Sequence, residues 1–439
     1  MIRSLQFKYI MNQKKEREPV MKTFALLCFT MAAAVPLEAQ EMQGVVNSNY
    51  AGLNGMALNP GFIADSRLYL DINILSADVF YQTDMNKNAY GSFRMSGPSV
   101  MLNKGRHAFA FSEAVRTVVS FRKVNRKNNS SSNNEFEKIN VAGLAWGEVD
   151  LTYAYMFKRI EKSVWAGGLT LKVLGGGGGA YYVSNANNYS FSSSMADNLN
   201  NIGISGGGGM GAGTGFGVDL GVTYSKKSKP VSLLTFKKLC QQKFTDYDYR
   251  LGVSIVDLGF IKFSDKVNTS QFNQSISNSV PYFLDTSQYI YATDTNLYNY
   301  ASSMSQENYS MGLPTAACLQ FDWHYYKSWY FNGTFVQGLN FSNSTVRRPT
   351  MLSVTPRYER RWFEVNLPVS VSDMKYFRLG LSLRLWNFII GTDNLLGSLG
   401  AGTNSSFNLY FSLRMNFAKG KCGRKKGSSM FDPFRQLVS

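Results

Sequence analysis

The chain has 439 residues, 44% of them hydrophobic and 14% aromatic, with 39 glycines, 11 prolines and a formal net charge of +17. Its mean hydropathy of −0.18 excludes a bundle of transmembrane helices. Two histidines leave little material for acid–base catalysis, and the cysteines show no CxxC or metal spacing, so neither a disulfide scaffold nor a zinc site is indicated.

In chain order, residues 1–20 mix acids and bases and make a poor start for an export signal. Met21-Lys22 followed by the apolar run TFALLCFTMAAAVPL (23–37) makes a better one. That run is shorter than the roughly 20 residues a spanning helix needs, so 1–39 reads as a secretory signal cleaved near Ala39, with Met21 as the true start. Cys28 is then removed, leaving Cys240, Cys318 and Cys422. Residues 40–67 carry Asn59-Pro60-Gly61, which is turn chemistry among small residues. Either this is an entry loop, or it is a compact segment folded into whatever follows.

From residue 68 to 417 one pattern recurs. In FNLYFSLRMNF (407–417) every second residue is apolar and the others are polar, the period of a strand with one greasy face. The same alternation runs through 149–157, 216–224, 247–255, 363–371 and 377–385. These stretches have about the 9–11 residues of a tilted strand crossing a bilayer. They are longer than the roughly 5–6 residues typical of a soluble sandwich, and their polar faces carry full charges strand after strand, as a wet barrel lumen would. Fourteen strands are predicted: 68–81, 91–102, 107–123, 147–157, 164–174, 214–224, 247–263, 315–324, 328–341, 351–358, 361–371, 376–385, 387–395 and 406–417. Short connections fall at 102–106, 158–163, 324–328, 359–361 and 386–387. Long polar ones fall at 82–90, 124–146, 175–213, 264–314, 342–350 and 396–405. This alternation is that of an outer-membrane β-barrel with short periplasmic turns and long outer loops; only 225–246 is long where a turn is due. Trp165, Trp323, Trp329, Trp362 and Trp386 lie at the short turns, the place of an interfacial aromatic girdle. Leu381 should face lipid and Ser382 the lumen, where arginine would be cheap.

Inward-facing charges are expected at Asp150, Lys172, Asp219, Asp248, Arg250, Glu364, Arg378, Arg384 and Arg414. Acids and bases nearly balance, which suits ion pairs filling a narrow lumen. A polar conduit, or a site for an anionic head group, is the functional alternative. The glycine runs at 175–180 and 205–213 lack the Lys-Ser/Thr of a phosphate loop and read as the bases of outer loops. His107 and His324 both fall at short turns, and there is no GxSxG elbow, so no catalytic residue, cofactor or metal is assigned. The tail 418–439 starts basic. With KKSKPVSLLTFKK (226–238) it makes a basic periplasmic face, suited to anionic lipid heads or an acidic periplasmic or secretion-system partner; nucleic acid is not expected in an exported chain.

ALNPGFIADSR (57–67), GFGVDLGVTYS (215–225), RLGVSIVDLGFIKF (250–263) and FIIGTDNLLG (388–397) resemble a Bacteroidota family of outer-membrane barrels, a domain of unknown function. That family is itself similar to long-chain fatty-acid transporter (FadL-like) and PorV-like barrels. The resemblance spans most of 47–417. It implies fourteen strands, an Asn-Pro box at Asn59, Pro60 and Gly61, and an N-terminal segment inside the lumen as a plug. It also implies transport or reception of small amphiphilic molecules across the outer membrane. The alternative is an assembly barrel presenting surface or secreted proteins.

Overall fold

The computed structural model describes residues 42–84, 88–126, 136–185, 188–194, 213–231, 237–263, 269–274, 309–342, 344–398 and 405–422. All of them belong to one unit, Glu38–Ser439. The stretch expected to be an export signal, the glycines of 205–212 and the tail beyond Cys422 lie outside these residues.

Fourteen antiparallel staves form the wall. They are β1 (Leu68–Asp84), β2 (Asn88–Ser96 and Ser99–Lys104), β3 (His107–Arg126), β4 (Phe136–Ile160), β5 (Ser163–Asn185), β6 (Gly213–Lys227) and β7 (Tyr247–Phe263). Then come β8 (Tyr309–Gly312 and Ala316–Tyr326), β9 (Trp329–Gly338), β10 (Met351–Glu359), β11 (Phe363–Asn366 and Val369–Ser372), β12 (Tyr376–Leu379 and Leu381–Leu385), β13 (Phe388–Thr392) and β14 (Ser405–Ala418). Each pairs with its chain neighbour, and β1 pairs with β14 from Leu68↔Ala418 to Thr83↔Ser405, so the sheet closes and leaves no edge. Tight turns follow at Gly105, Glu161, Lys327 and Trp386, all with positive φ.

The alternation sorts the two faces. Val173, Val253, Leu319, Val354 and Leu409 are exposed on the outside, Val173 at 66%. Their intervening neighbours, such as Lys172, Ser254, Gln320, Ser353 and Asn408, are buried. A continuous apolar outer band over a polar interior is the pattern of a barrel in lipid. Trp165, Trp323, Trp329 and Trp362 are exposed at the short-turn end, where Trp386 is half-buried.

The wall is uneven in height. β4 has 25 residues and β5 has 23, whereas β13 has 5. At about 3.3 Å per residue, β4 is roughly 80 Å long, far more than a tilted crossing of a ~30 Å hydrocarbon core requires. Glycines 175–179 belong to β5, where Gly175, Gly176, Gly178 and Gly179 pair with 144–147 and Gly177 is the extra residue at a register shift, so they are not a loop base. A Cβ at Gly176 would come within 2.9 Å of the inward Ile261 and Phe263 side chains, so the long strand packs here only without one.

Two further expectations are corrected. In β7 the register shifts opposite Lys226 and Lys227, which pair with Tyr249 and Tyr247. The extra residue is Asp248, which turns outward and is exposed while Tyr247 is buried. A second bulge, opposite Val218 and Leu220, sends both Val256 and Asp257 inward and inverts the alternation beyond them. The cysteines also differ from expectation: Cys240 and Cys422 form a disulfide, while Cys318 is free and buried in the wall. The bond ties the long β6–β7 connection at the short-turn end to the segment after β14.

Candidate functional site

The interior is occupied by residues 42–67. The Asn-Pro box is built locally. Asn59 is extended, its Oδ1 accepts from the Gly61 N–H at 2.9 Å, and Pro60 opens a one-turn 3-10 helix, Pro60–Ile63. Proline suits a first helical position because its missing N–H would be unpaired there anyway. Asn59 Nδ2 then donates to the carbonyls of Val222 and Val253, both at 3.3 Å, and to Gln320 Oε1 at 3.2 Å. One side chain thus reads β6, β7 and β8. The seat is a floor of inward glycines. A Cβ on Gly168 would lie 2.4 Å from Pro60, and one on Gly221 would lie 2.1 Å from Asn59 Oδ1.

The rest of the segment is gripped by wall side chains. Gln43 and Gly44 donate backbone N–H groups to Asp393 at 2.9 and 3.3 Å. Arg250 and Arg357 each donate to the Asn47 carbonyl at 2.9 Å. Ser48 donates to Glu364 at 2.7 Å, and Asn49 donates to Glu359 through both its backbone and its side chain. Arg414 donates to the carbonyls of Tyr50, at 2.7 Å, and Ala51. The Leu53 N–H donates to Asp71 at 2.8 Å. Ser254 donates to the Leu58 carbonyl, and Asn103 donates to the carbonyls of Ile63 and Ala64 at 2.7 and 2.6 Å.

The same charges pair with one another. Arg250 and Arg357 share Asp322, each at 3.1 Å. Arg384 meets Glu364 at 2.9 Å, and Arg414 meets Asp71 at 3.3 Å. Higher in the barrel, Lys172 bridges Asp219 at 2.9 Å and Asp257 at 2.6 Å. Asp257 also takes Arg116 at 2.8 Å and Arg348 at 3.4 Å. Asp150 accepts from Ser112 at 3.3 Å. Arg378 is buried, with its guanidinium 4.7 Å from the Phe80 ring centre. Of the nine inward charges anticipated, eight are buried in this interior, and Asp248 is the exception. Glu148, Asp322 and Arg357 share the inward parity of their strands and were readable by the same rule. Asp257 was not, because it breaks that rule. Among the described residues no three His, Cys, Asp or Glu side chains are grouped to hold a metal ion.

A cavity of about 90 Å³ remains between the segment and the wall. Met42, Val46, Leu53 and Met56 give it an apolar side, and Arg94, Arg116, Arg348, Asp78 and Ser112 a polar one. It abuts the break in β2, where Ser96 and Ser99 line it. At that break Asn73 Nδ2 donates to the carbonyls of Ser96 (3.3 Å) and Gly97 (2.9 Å), and Gly97 N–H reaches the Glu113 carbonyl at 3.2 Å. Pro98 has no N–H to offer the ladder, so a side chain from inside partly replaces the missing wall bonds.

A family of unknown function (DUF5723) matches residues 194–393. No curated protein matches. Among solved structures, the toluene transporter TbuX of Ralstonia pickettii is 9% identical, with 87% of this chain and 99% of that chain covered and a TM-score of 0.44. The toluene transporter TodX of P. putida is 10% identical, with 87% and 100% covered and a TM-score of 0.43. The translocator domain of the autotransporter NalP of Neisseria meningitidis is 10% identical, with 80% and 89% covered and a TM-score of 0.32.

Proposed function

We propose that this chain is an outer-membrane barrel, with both termini periplasmic, that takes up or senses small amphiphilic molecules. The observation that carries the reading is the interior cavity. It has an apolar side supplied by the N-terminal segment, a polar side supplied by the wall that includes the guanidinium groups of Arg94, Arg116 and Arg348, and one end against a strand break bridged from within by Asn73. A short acyl chain with an anionic head matches those two sides, and the break gives a route from lumen to bilayer. Segment 42–67 acts as the plug that denies the same interior to ions. Its anchors come from β1, β2, β7, β10, β11 and β14, so it closes the barrel as a fixed part rather than a loose flap.

The assembly alternative has no such support. The described part of the basic tail, 419–422, folds onto this chain's own 237–246 connection through Gly420 and Cys422.

The test uses purified barrel in proteoliposomes and a medium-chain carboxylate as cargo. Met56→Trp fills the cavity without altering any wall residue and should abolish entry while leaving a heat-modifiable barrel. Removal of residues 42–62 should raise single-channel conductance in planar bilayers. Unchanged carboxylate entry in Met56→Trp would rule out the cavity as the route.

A further inference from the structure

A second cavity, of about 50 Å³, lies at the short-turn end, separate from the first. Its walls come from four parts of the chain: the plug's last turn (Asp65), the end of β4 (Arg159), the end of β6 (Lys227), and Lys419 just after β14. The β6–β7 connection covers it with residues 241–245, including Lys243. Four cationic side chains therefore face one carboxylate. Asp65 is already taken, since Lys227 Nζ sits 2.8 and 2.6 Å from its two oxygens. Lys227 also lies 4.9 Å from the Phe244 ring centre, so it is held on two sides. That pair is neutral, and Lys243 and, when protonated, Lys419 add positive charge around the space, with Arg159 also in its wall. Such a concentration of cations with low-dielectric walls attracts an anion. The volume suits one compact group, since a water needs roughly 10–15 Å³ by the same measure.

We propose that this cavity is a binding site for a tetrahedral oxyanion of the phosphate class, either a free ion or the phosphate of a lipid head group, with Lys419 as its principal ligand. Lys419 is placed for this by the backbone: its N–H donates to the Arg67 carbonyl at 3.0 Å, and the next residue, Gly420, donates to the Cys240 carbonyl at 2.7 Å. The disulfide three residues beyond Lys419 holds the cover and the tail against each other, so both walls of the site are fixed. Burial, reinforced by Lys227 and Arg159 and opposed by Asp65, pushes the Lys419 ammonium down to about 7. A bound anion would restore it, so binding takes up a proton and weakens as pH rises above 7.

Sulfate serves as the free-ion probe because its charge is constant across this range. Nanodiscs of phosphatidylglycerol, against phosphatidylcholine, serve as the lipid probe, read by native mass spectrometry. Full-length protein should bind sulfate in calorimetry at pH 6.5, about tenfold more weakly at pH 9, and Lys419→Gln should lose it. Lys419→Arg, permanently charged, should keep binding at pH 9. Retention of phosphatidylglycerol that Lys419→Gln abolishes, without sulfate binding, would identify the head group as the source. If Lys419→Gln does not fold, the pH 9 comparison of Lys419→Arg with the unaltered protein decides, and absence of rescue there sinks the proposal. Binding of neither probe, or binding indifferent to Lys419→Gln, overturns it.

Discussion

Asp257 on β7 holds Arg116 on β3 through two parallel hydrogen bonds, 2.8 and 2.9 Å long, across the inside of the barrel. The two strands are not neighbours, and only the bulge at Asp257, with φ of 56°, turns this carboxylate inward. Asp257 also serves Lys172 and Arg348, so three buried cations share this anion, with Asp219 as a second partner of Lys172 and Glu148 as a second partner of Arg116.

Asp257→Asn keeps a residue that tolerates positive φ but removes the charge. It should destabilise the barrel by about 3–5 kcal/mol, the cost of breaking a buried pair while its partners stay behind. Asp248→Asn, on the exposed side of the same strand, should stay within about 0.5 kcal/mol. Urea unfolding midpoints of the two variants in detergent provide the comparison.

The two faces of the wall can be separated by arginine. Leu409, exposed to the outside, should cost about 2–4 kcal/mol as Leu409→Arg if it lies near the bilayer midplane. Ser382 is fully buried, accepts from Asn366 at 2.9 Å, and has its Cβ 2.8 Å from where a Cβ on Gly44 would stand. Its inward direction is not free space, contrary to the expectation that arginine there is cheap. Ser382→Arg should cost about 1–3 kcal/mol by overpacking. In a variant lacking 42–62 that cost should vanish, while the Leu409→Arg cost should remain. A double-mutant cycle on refolding yield and midpoint measures both.

The Cys240–Cys422 bond spans 182 residues. Long loops lose the most unfolded-state entropy when closed, so reduction should lower stability by about 2–5 kcal/mol. Cys240→Ser should show the lower midpoint without reductant and no further response to it. A midpoint indifferent to reductant in the unaltered protein would mean the bond does not stabilise the fold.

Lys419 also predicts a pH dependence of stability. Its folded pKa of about 7 lies below its ordinary value, so between pH 7 and about 10 the unfolded chain binds more protons. Stability should therefore rise with pH across that window in buffer free of oxyanions, and Lys419→Gln should flatten the slope. A falling slope, or one unaltered in the variant, would contradict the environment described for this side chain.

The number of staves, the short-turn half of each strand and the site of nearly every tight turn were legible in the sequence, because which way a strand residue points depends only on its parity and its immediate neighbours; the far ends of β4 and β5, expected as the long loops 124–146 and 175–213, were not. The same rule put Lys172, Asp219, Arg384 and Arg414 on the inner face. It failed at Asp248 and Asp257, where an extra residue in the ladder resets the parity; a bulge is defined by the partner strand and leaves no mark in the bulged strand alone. The glycines at 168, 221 and 252 read as weak strand formers until Asn59 and Pro60 are seen resting on them. The pairing of Cys240 with Cys422, and the gathering of Asp65, Arg159, Lys227 and Lys419 around one cavity, join residues far apart in the chain. Only closure of the barrel, which brings β14 beside β1 and the N-terminal segment into the centre, sets those distances.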